Sequence, residues 1–277
     1  MRAGYHTSGL QNHRLEDALR LVADAGYAVV ALTPDVMHLD PFRSTAAEVG
    51  AIGTLLERLG LEVVVETGAR FVLDPTCKHE PTLMTRDPAA RARRLDYTRR
   101  CAALGADLGA KVVSFWAGID RAPGPDSRTL LDAGVDASCA AVRAAGLVPA
   151  FEPEPGMAVE TVGAYRELCL RLGEAAPALT LDIGHLYAVW EGDPAAAIGG
   201  CADRLVQVHL EDMRRGVHEH LLPGTGDVDF HAVLSALKEV GYEGPVCFEL
   251  SRSSHAAPEA LRTCKATWDR VATNLAR

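Results

Sequence analysis

Lys111–Val112–Val113–Ser114–Phe115–Trp116–Ala117 is a short run of apolar and small residues in which Ser114 is the one polar interruption after the opening lysine. A strand with one wet face alternates polar and apolar side chains, so a nearly continuous run points to a parallel strand covered on both faces. Working outward, runs of the same kind recur roughly every 30 to 35 residues, each followed by a longer stretch of helical period. They are Arg2–Thr7, Tyr27–Thr33, Leu61–Gly68, Lys111–Ala117, Leu147–Pro153, Ala178–Gly184, Leu205–Glu211 and Pro245–Ser251. Between them, Arg14–Ala25, Thr45–Leu59, Pro88–Leu108 and Leu130–Ala145 carry alanine and leucine at helical spacing with arginine and glutamate on the other face. Glycine often stands just before a strand, as in Ala25–Gly26–Tyr27, Leu59–Gly60–Leu61 and Ala145–Gly146–Leu147, where a helix needs a left-handed terminus.

Eight alternating units predict an α/β fold closed as one (β/α)8 barrel of the TIM type. An open doubly wound sheet usually shows a glycine-rich phosphate fingerprint after its first strand, and Gly4–Tyr5–His6–Thr7–Ser8–Gly9 is not that fingerprint. No linker or change of composition marks a boundary, so residues 1–277 are expected to form a single domain. The 48% apolar content suits a core of that size.

The seven cysteines are scattered without a CxxC pair, which predicts reduced thiols in a cytoplasmic protein. No apolar run approaches the roughly 18 residues of a membrane span, and none has the form of a signal peptide. A net charge of −9 opposes nucleic acid and anionic membranes as partners. The sequence is compatible with a homo-oligomer and does not specify one.

Barrel enzymes draw their catalytic groups from the carboxyl ends of the strands. Here the last four strands end Phe151–Glu152–Pro153, Leu181–Asp182–Ile183–Gly184–His185, Val208–His209–Leu210–Glu211–Asp212 and Phe248–Glu249–Leu250. Three acids and an imidazole gathered at one mouth without a counter-charge would cost several kcal/mol, which calls for a cation. Glu152, Asp182, His209 and Glu249 are therefore the predicted ligands of a divalent metal. Mn²⁺, Co²⁺, Mg²⁺ and Zn²⁺ all suit this donor set, and ligand type alone does not choose among them.

These motifs resemble the xylose-isomerase-like barrels, which include sugar epimerases of the tagatose/psicose type, inosose dehydratases, hydroxypyruvate isomerases and the endonuclease IV repair enzymes. The resemblance covers essentially the whole chain and is sharpest from Phe151 to Ser251, including Pro223–Gly224–Thr225–Gly226–Asp227. It implies that Glu152 and Glu249, besides holding the metal, exchange a substrate proton on opposite faces through a metal-stabilised enediolate. It also implies that His185 and Arg215 contact substrate, a small polyhydroxylated sugar, sugar phosphate or cyclitol. The activity implied is a metal-dependent isomerase or epimerase, with a dehydratase of an inosose or dehydroshikimate as the alternative and an endonuclease IV-like phosphodiesterase behind it.

Val217–His218–Glu219–His220 forms a second constellation, since a His-x-His pair in a loop can join His185 either around a second ion or against substrate. In the nuclease branch the ends of strands three and four offer histidines, whereas this chain has Glu66 and Trp116, a departure that disfavours the multi-metal nuclease mechanism. Trp116 suits the face of a sugar, and His6 and Glu66 are further candidates for substrate contact. Arg70 is read as an ion-pair partner of Glu66 or a substrate contact. His79 lies in a long loop, Asp74–Asp87, whose length suggests a lid. The Gly224–Thr225–Gly226 turn and Ser251–Arg252–Ser253–Ser254 are candidate phosphate sites of ordinary loop composition.

Overall fold

A computed structural model describes residues 1–275. Eight parallel strands, β1 (Arg2–His6), β2 (Val29–Leu32), β3 (Glu62–Glu66), β4 (Val112–Phe115), β5 (Val148–Phe151), β6 (Ala178–Asp182), β7 (Leu205–Leu210) and β8 (Pro245–Phe248), follow one another in the order of a closed barrel. Each lies inside its predicted run. The helices are α1 (Leu15–Asp24), α2 (Ala46–Leu59), α3 (Pro88–Asp107), α4 (Ser127–Ala144), α5 (Val162–Leu172), α6 (Ile183–Ala188), α7 (Pro194–Cys201), α8 (Phe230–Glu239) and α9 (Ala257–Leu275). The (β/α)8 expectation is met.

By its internal contacts the chain groups into two compact units. One comprises Met1–Ala31, Leu56–Glu62 and the chain from Leu179 onward. It contains the register β6–β7–β8–β1–β2, with Asp182 opposite His209, His209 opposite Cys247 and Tyr5 opposite Phe248. Its core includes Tyr5, Leu19, Leu210, Phe248 and Leu237, each at most 1% exposed and each contributing roughly 2 kcal/mol by leaving water. Gly26, at φ +83°, ends α1 in the left-handed conformation and sends Tyr27 into β2, with Tyr27 N–H donating to Val22 O at 3.2 Å.

The other unit comprises Leu32–Leu55 and Val63–Ala178, with β3, β4 and β5 in parallel register. Phe115 and Phe151 meet edge to face at 5.6 Å, and Phe151 stacks on Tyr165 at 6.2 Å. The 74–87 loop is pinned by polar contacts. Asp74 Oδ1 accepts from the N–H of Thr76 at 2.7 Å and of Cys77 at 3.2 Å, and Arg121 Nε donates to Glu80 Oε1 at 2.6 Å.

Most element boundaries shift slightly from the reading of the sequence, and the shifts at the sixth strand and the fourth helix are the ones that matter here. The sixth strand ends at Asp182, because the Asp182 side chain caps α6, its Oδ1 accepting His185 N–H at 2.9 Å. That puts His185 on the first turn of a helix. Helix α4 begins at Ser127, three residues before the predicted start.

Candidate active site

In the unit that holds β6, β7 and β8, the ends of these strands bring carboxylates and imidazoles together. Asp182 is 1% exposed, and with Oδ1 committed to capping, its Oδ2 receives no hydrogen bond. That oxygen lies 3.4 Å from His185 Nε2 and 3.9 Å from His209 Nδ1. His209 Nδ1 is also 3.3 Å from Glu249 Oε2, and Ser8 Oγ approaches Glu249 Oε1 at 3.5 Å. Three of the four predicted metal ligands, Asp182, His209 and Glu249, thus converge.

Burial works to raise the Asp182 carboxyl, but His185, His209 and His220 outweigh it and hold the group below the usual range. Burial works the same way on Glu249, where His6, His220, His209 and His185 hold the carboxyl well below its ordinary value. These carboxylates demand positive charge, and a divalent ion is a compact way to provide it. The donor set of carboxylate oxygens and one imidazole nitrogen, with a buried Asp182 oxygen lacking a donor, fits such an ion.

Strand alternation explains the cluster. Gln207 and His209 on β7, and Glu211 directly after it, follow each other at intervals of two and share one face. The Gln207 amide nitrogen lies 2.9 Å from His209 Nε2. In that orientation the amide donates to Nε2 and the ring proton sits on Nδ1; turning the amide over lets Nε2–H donate to its oxygen and frees the lone pair of Nδ1, the nitrogen facing Asp182 and Glu249, for a metal.

His185, His218 and His220 also come together, their ligand nitrogens all within 4.8 Å of one another and the His185 and His218 rings edge to face at 4.9 Å. Burial, with His185 and His220 alongside, lowers His218 to about 4. His6 sits 5.2 Å from the His209 ring, and its Nδ1 accepts Ser8 N–H at 3.3 Å.

Arg215 is exposed, and its guanidinium lies 5.6 Å over the Tyr187 ring, beside a cavity of about 500 Å³ that Trp190, Asp193 and Asp229 also line. The Gly224–Thr225 turn spends its donors internally: both N–H groups go to Asp212 Oδ2, at 2.7 and 3.0 Å. As a phosphate cradle the turn is thus already committed to Asp212, whose Oδ1 also accepts Val228 N–H at 3.0 Å.

The remaining predicted residues belong to the other unit. Glu152, 5% exposed, directly follows β5, and its N–H donates to Phe115 O at 2.9 Å. Glu66, the last residue of β3, is also buried. Trp116 has Arg94 stacked at 4.4 Å on one face and His79 edge-on at 5.0 Å. Arg94 Nη2 donates to Thr67 O at 3.0 Å, and the His79 Nδ1 is 2.6 Å from Gly68 O. Burial and the nearby Lys78 charge bring His79 down to about 4. Arg70 Nε is 3.9 Å from Asp35 Oδ2, a partner the sequence did not suggest.

Three functional candidates were missed: Gln207, Asp212 and Glu211. Glu211 is wholly buried, and desolvation with the Asp182 and Glu249 charges beside it pushes its carboxyl well up. The signal was present in Gln207–Val208–His209–Leu210–Glu211, whose alternation puts an amide and an acid on the face of His209.

Carboxylates and imidazoles gathered at the carboxyl ends of parallel strands occupy the place where (β/α)8 barrels carry their functional groups. The family pattern described as xylose isomerase-like TIM barrel matches residues 19–267, and the chain belongs to that family. Among curated relatives, L-ribulose-5-phosphate 3-epimerase UlaE of Shigella flexneri serotype 5b (strain 8401) is 26% identical over 255 residues, covering 90% of this chain and 87% of its own. Among solved structures, an L-ribulose 3-epimerase superposes with TM-score 0.79 at 22% identity, over 98% of this chain and 94% of that one. D-allulose 3-epimerase from Methylomonas sp., in complex with D-allulose, gives TM-score 0.77 at 20% identity, over 98% of this chain and 97% of that one. The relatives named are sugar epimerases. Among the described residues no helix is long and apolar enough to cross a membrane.

Proposed function

We propose that this protein is a divalent-metal-dependent epimerase or isomerase of a small polyhydroxylated ketone or aldehyde, free or phosphorylated. The observation that carries the reading is the convergence of Asp182, His209 and Glu249, with a buried Asp182 oxygen that receives no hydrogen bond. Glu152 is the fourth ligand in this proposal, supported by its place at the end of β5, the neighbour of β6 in the barrel order. A bound ion, with Mn²⁺ preferred and Co²⁺, Mg²⁺ or Zn²⁺ compatible, supplies a Lewis acid that acidifies the C–H beside a substrate carbonyl.

The side chains do the rest. One of Glu152 and Glu249 removes the proton from the carbon next to the carbonyl, and the other returns a proton on the opposite face, which inverts that centre. His209 is oriented by Gln207. His185, His218 and His220 present ring nitrogens to substrate hydroxyls or to a second ion, while Arg215 holds a more distant oxygen. His6, Glu66 and Trp116 are the remaining substrate contacts in this proposal. The names of the relatives support inversion at carbon 3 of a ketose as the first activity to assay.

The test is to incubate the Mn²⁺-loaded protein in D₂O with L-ribulose 5-phosphate, L-ribulose and D-allulose. Deuterium entering the inverted centre of at least one, with the epimer appearing, is the expected result. No exchange and no epimer with any of them would overturn the epimerase reading, and loss of water with a new enone absorbance would assign the dehydratase instead.

A further inference from the structure

Glu211 is the least explained polar side chain in the structure. It is 0% exposed, and the one hydrogen-bonding neighbour of its carboxyl is the Asp182 carboxylate, which brings no donor of its own. A buried carboxylate left in that condition costs several kcal/mol, and a chain keeps one only where something not yet counted compensates it.

What surrounds Glu211 narrows the answer. The Asp182 oxygen that is not used for capping is also without a donor, and so is His220 Nδ1, 3.9 Å from Glu211 Oε1. One ligand atom from each of Asp182, Glu211 and His220 lies within 4.8 Å of the others. Two atoms bound to one ion at about 2.1 Å each stand about 3 to 4 Å apart, so small rotations of these side chains would close a shell. The backbone makes room for Glu211 as well. A Cβ on Gly184 would fall 2.0 Å from Glu211 Oε1, so the first turn of α6 leaves this space only because residue 184 has no side chain.

We propose that Glu211 and His220, together with Asp182, hold a second divalent cation, with Asp182 bridging it to the ion of the Asp182–His209–Glu249 cluster. The count of two rests on the function proposed above; the Glu211 site itself does not. A single proton shared between Glu211 and Asp182 is the competing account, and it leaves the second Glu211 oxygen buried and unpaired. A cation contacts both carboxylates and the imidazole together. Two carboxylates and an imidazole suit Mn²⁺, Co²⁺ or Zn²⁺.

The experiment loads metal-free full-length protein with Mn²⁺ by equilibrium dialysis, counts ions per chain and records the electron paramagnetic resonance spectrum. The wild type is expected to bind two ions with a spin-coupled spectrum, and Glu211→Gln to bind one with the six-line pattern of an isolated ion. His220→Ala, a change in a half-buried loop, should weaken the same ion about 100-fold, which guards against a folding failure of Glu211→Gln. Equal ion counts in wild type and both variants overturn the proposal and leave Glu211 as a proton carrier. Glu249→Gln separates the two readings. If it loses an ion while the Glu211 and His220 variants do not, the second site falls alone. If those two lose an ion while Glu249→Gln does not, the functional reading falls and the Glu211 site stands. A wild type that binds no ion overturns both.

Discussion

The ends of β6, β7 and β8 and the ends of β3 and β4 both carry buried polar side chains, yet the two regions resolve their charges in opposite ways. Around β4, Arg94 lies on the Trp116 face and donates to Thr67 O, while His79 meets the edge of the same indole and reaches Gly68 O. Most of these groups satisfy one another, with Arg94 Nη1 the exception that has no hydrogen-bond partner. Around β6 to β8, Asp182 Oδ2, both Glu211 oxygens and His220 Nδ1 are buried without hydrogen bonds. A network closed on itself is architecture, and a network short of donors is a place prepared for something that arrives later. The same position in a barrel thus carries either role, and the balance of donors and acceptors tells them apart.

The largest effect expected from this contrast is on turnover. Glu249→Gln keeps the shape of the side chain and removes a base and a ligand oxygen, so kcat in the epimerase assay should fall by about 10³ or more. The thermal midpoint of the metal-free protein should fall by a few degrees, because His6, His220, His209 and His185 lose the negative charge they hold in place. A variant that keeps a tenth of wild-type turnover would remove Glu249 from the chemistry.

Much of this was legible beforehand. The eight strands were readable because parallel strands covered on both faces leave continuous apolar runs, and Asp182, His209 and Glu249 were readable because acids and an imidazole interrupt such runs at their carboxyl ends. The donor balance was not readable. Asp212 reads as one more acid in Glu211–Asp212, and only the folded chain shows it tying down Gly224, Thr225 and Val228 while Glu211 is left without a donor. Trp116 reads as a platform for a sugar, and the arginine that covers one of its faces lies 22 positions earlier, on α3. Hydrogen-bond partners distant in sequence leave no periodic trace, which is why residue types were legible and their satisfaction was not.

The next effect in size belongs to the self-satisfied region and concerns pH. His79 protonates at about 4 in the folded protein and near 6.5 when unfolded. As pH falls through 6.5 the unfolded chain takes up a proton that the folded chain refuses until about 4, so stability declines across that window and levels off below it. The loss is at most about 3 kcal/mol, and less to the extent that water reaches the ring. Urea midpoints of the metal-free protein at pH 7 and pH 4.5 should differ more in wild type than in His79→Gln. Equal differences would mean that the imidazole is not held neutral by its burial.

The smallest effect tests the donor-poor region at its margin, through a residue that is not itself a ligand. Gln207 lies 2.9 Å from His209 Nε2, and the amide can present either its oxygen or its nitrogen there. If the oxygen faces the ring, Nε2 carries the proton and Nδ1 is free to bind metal; if the nitrogen does, Nε2 accepts and Nδ1 is the protonated atom. Gln207→Leu removes the choice, and where the oxygen-facing form prevails it should weaken the His209-bound ion by about 10- to 100-fold while turnover at saturating metal largely returns. Gln207→Glu offers acceptors alone and should preserve or tighten binding, as carboxylate–histidine–metal relays do. Weakening in both variants by equal amounts would show that Gln207 serves packing in β7, and the imidazole orientation would then have to be set by Asp182 and Glu249 themselves.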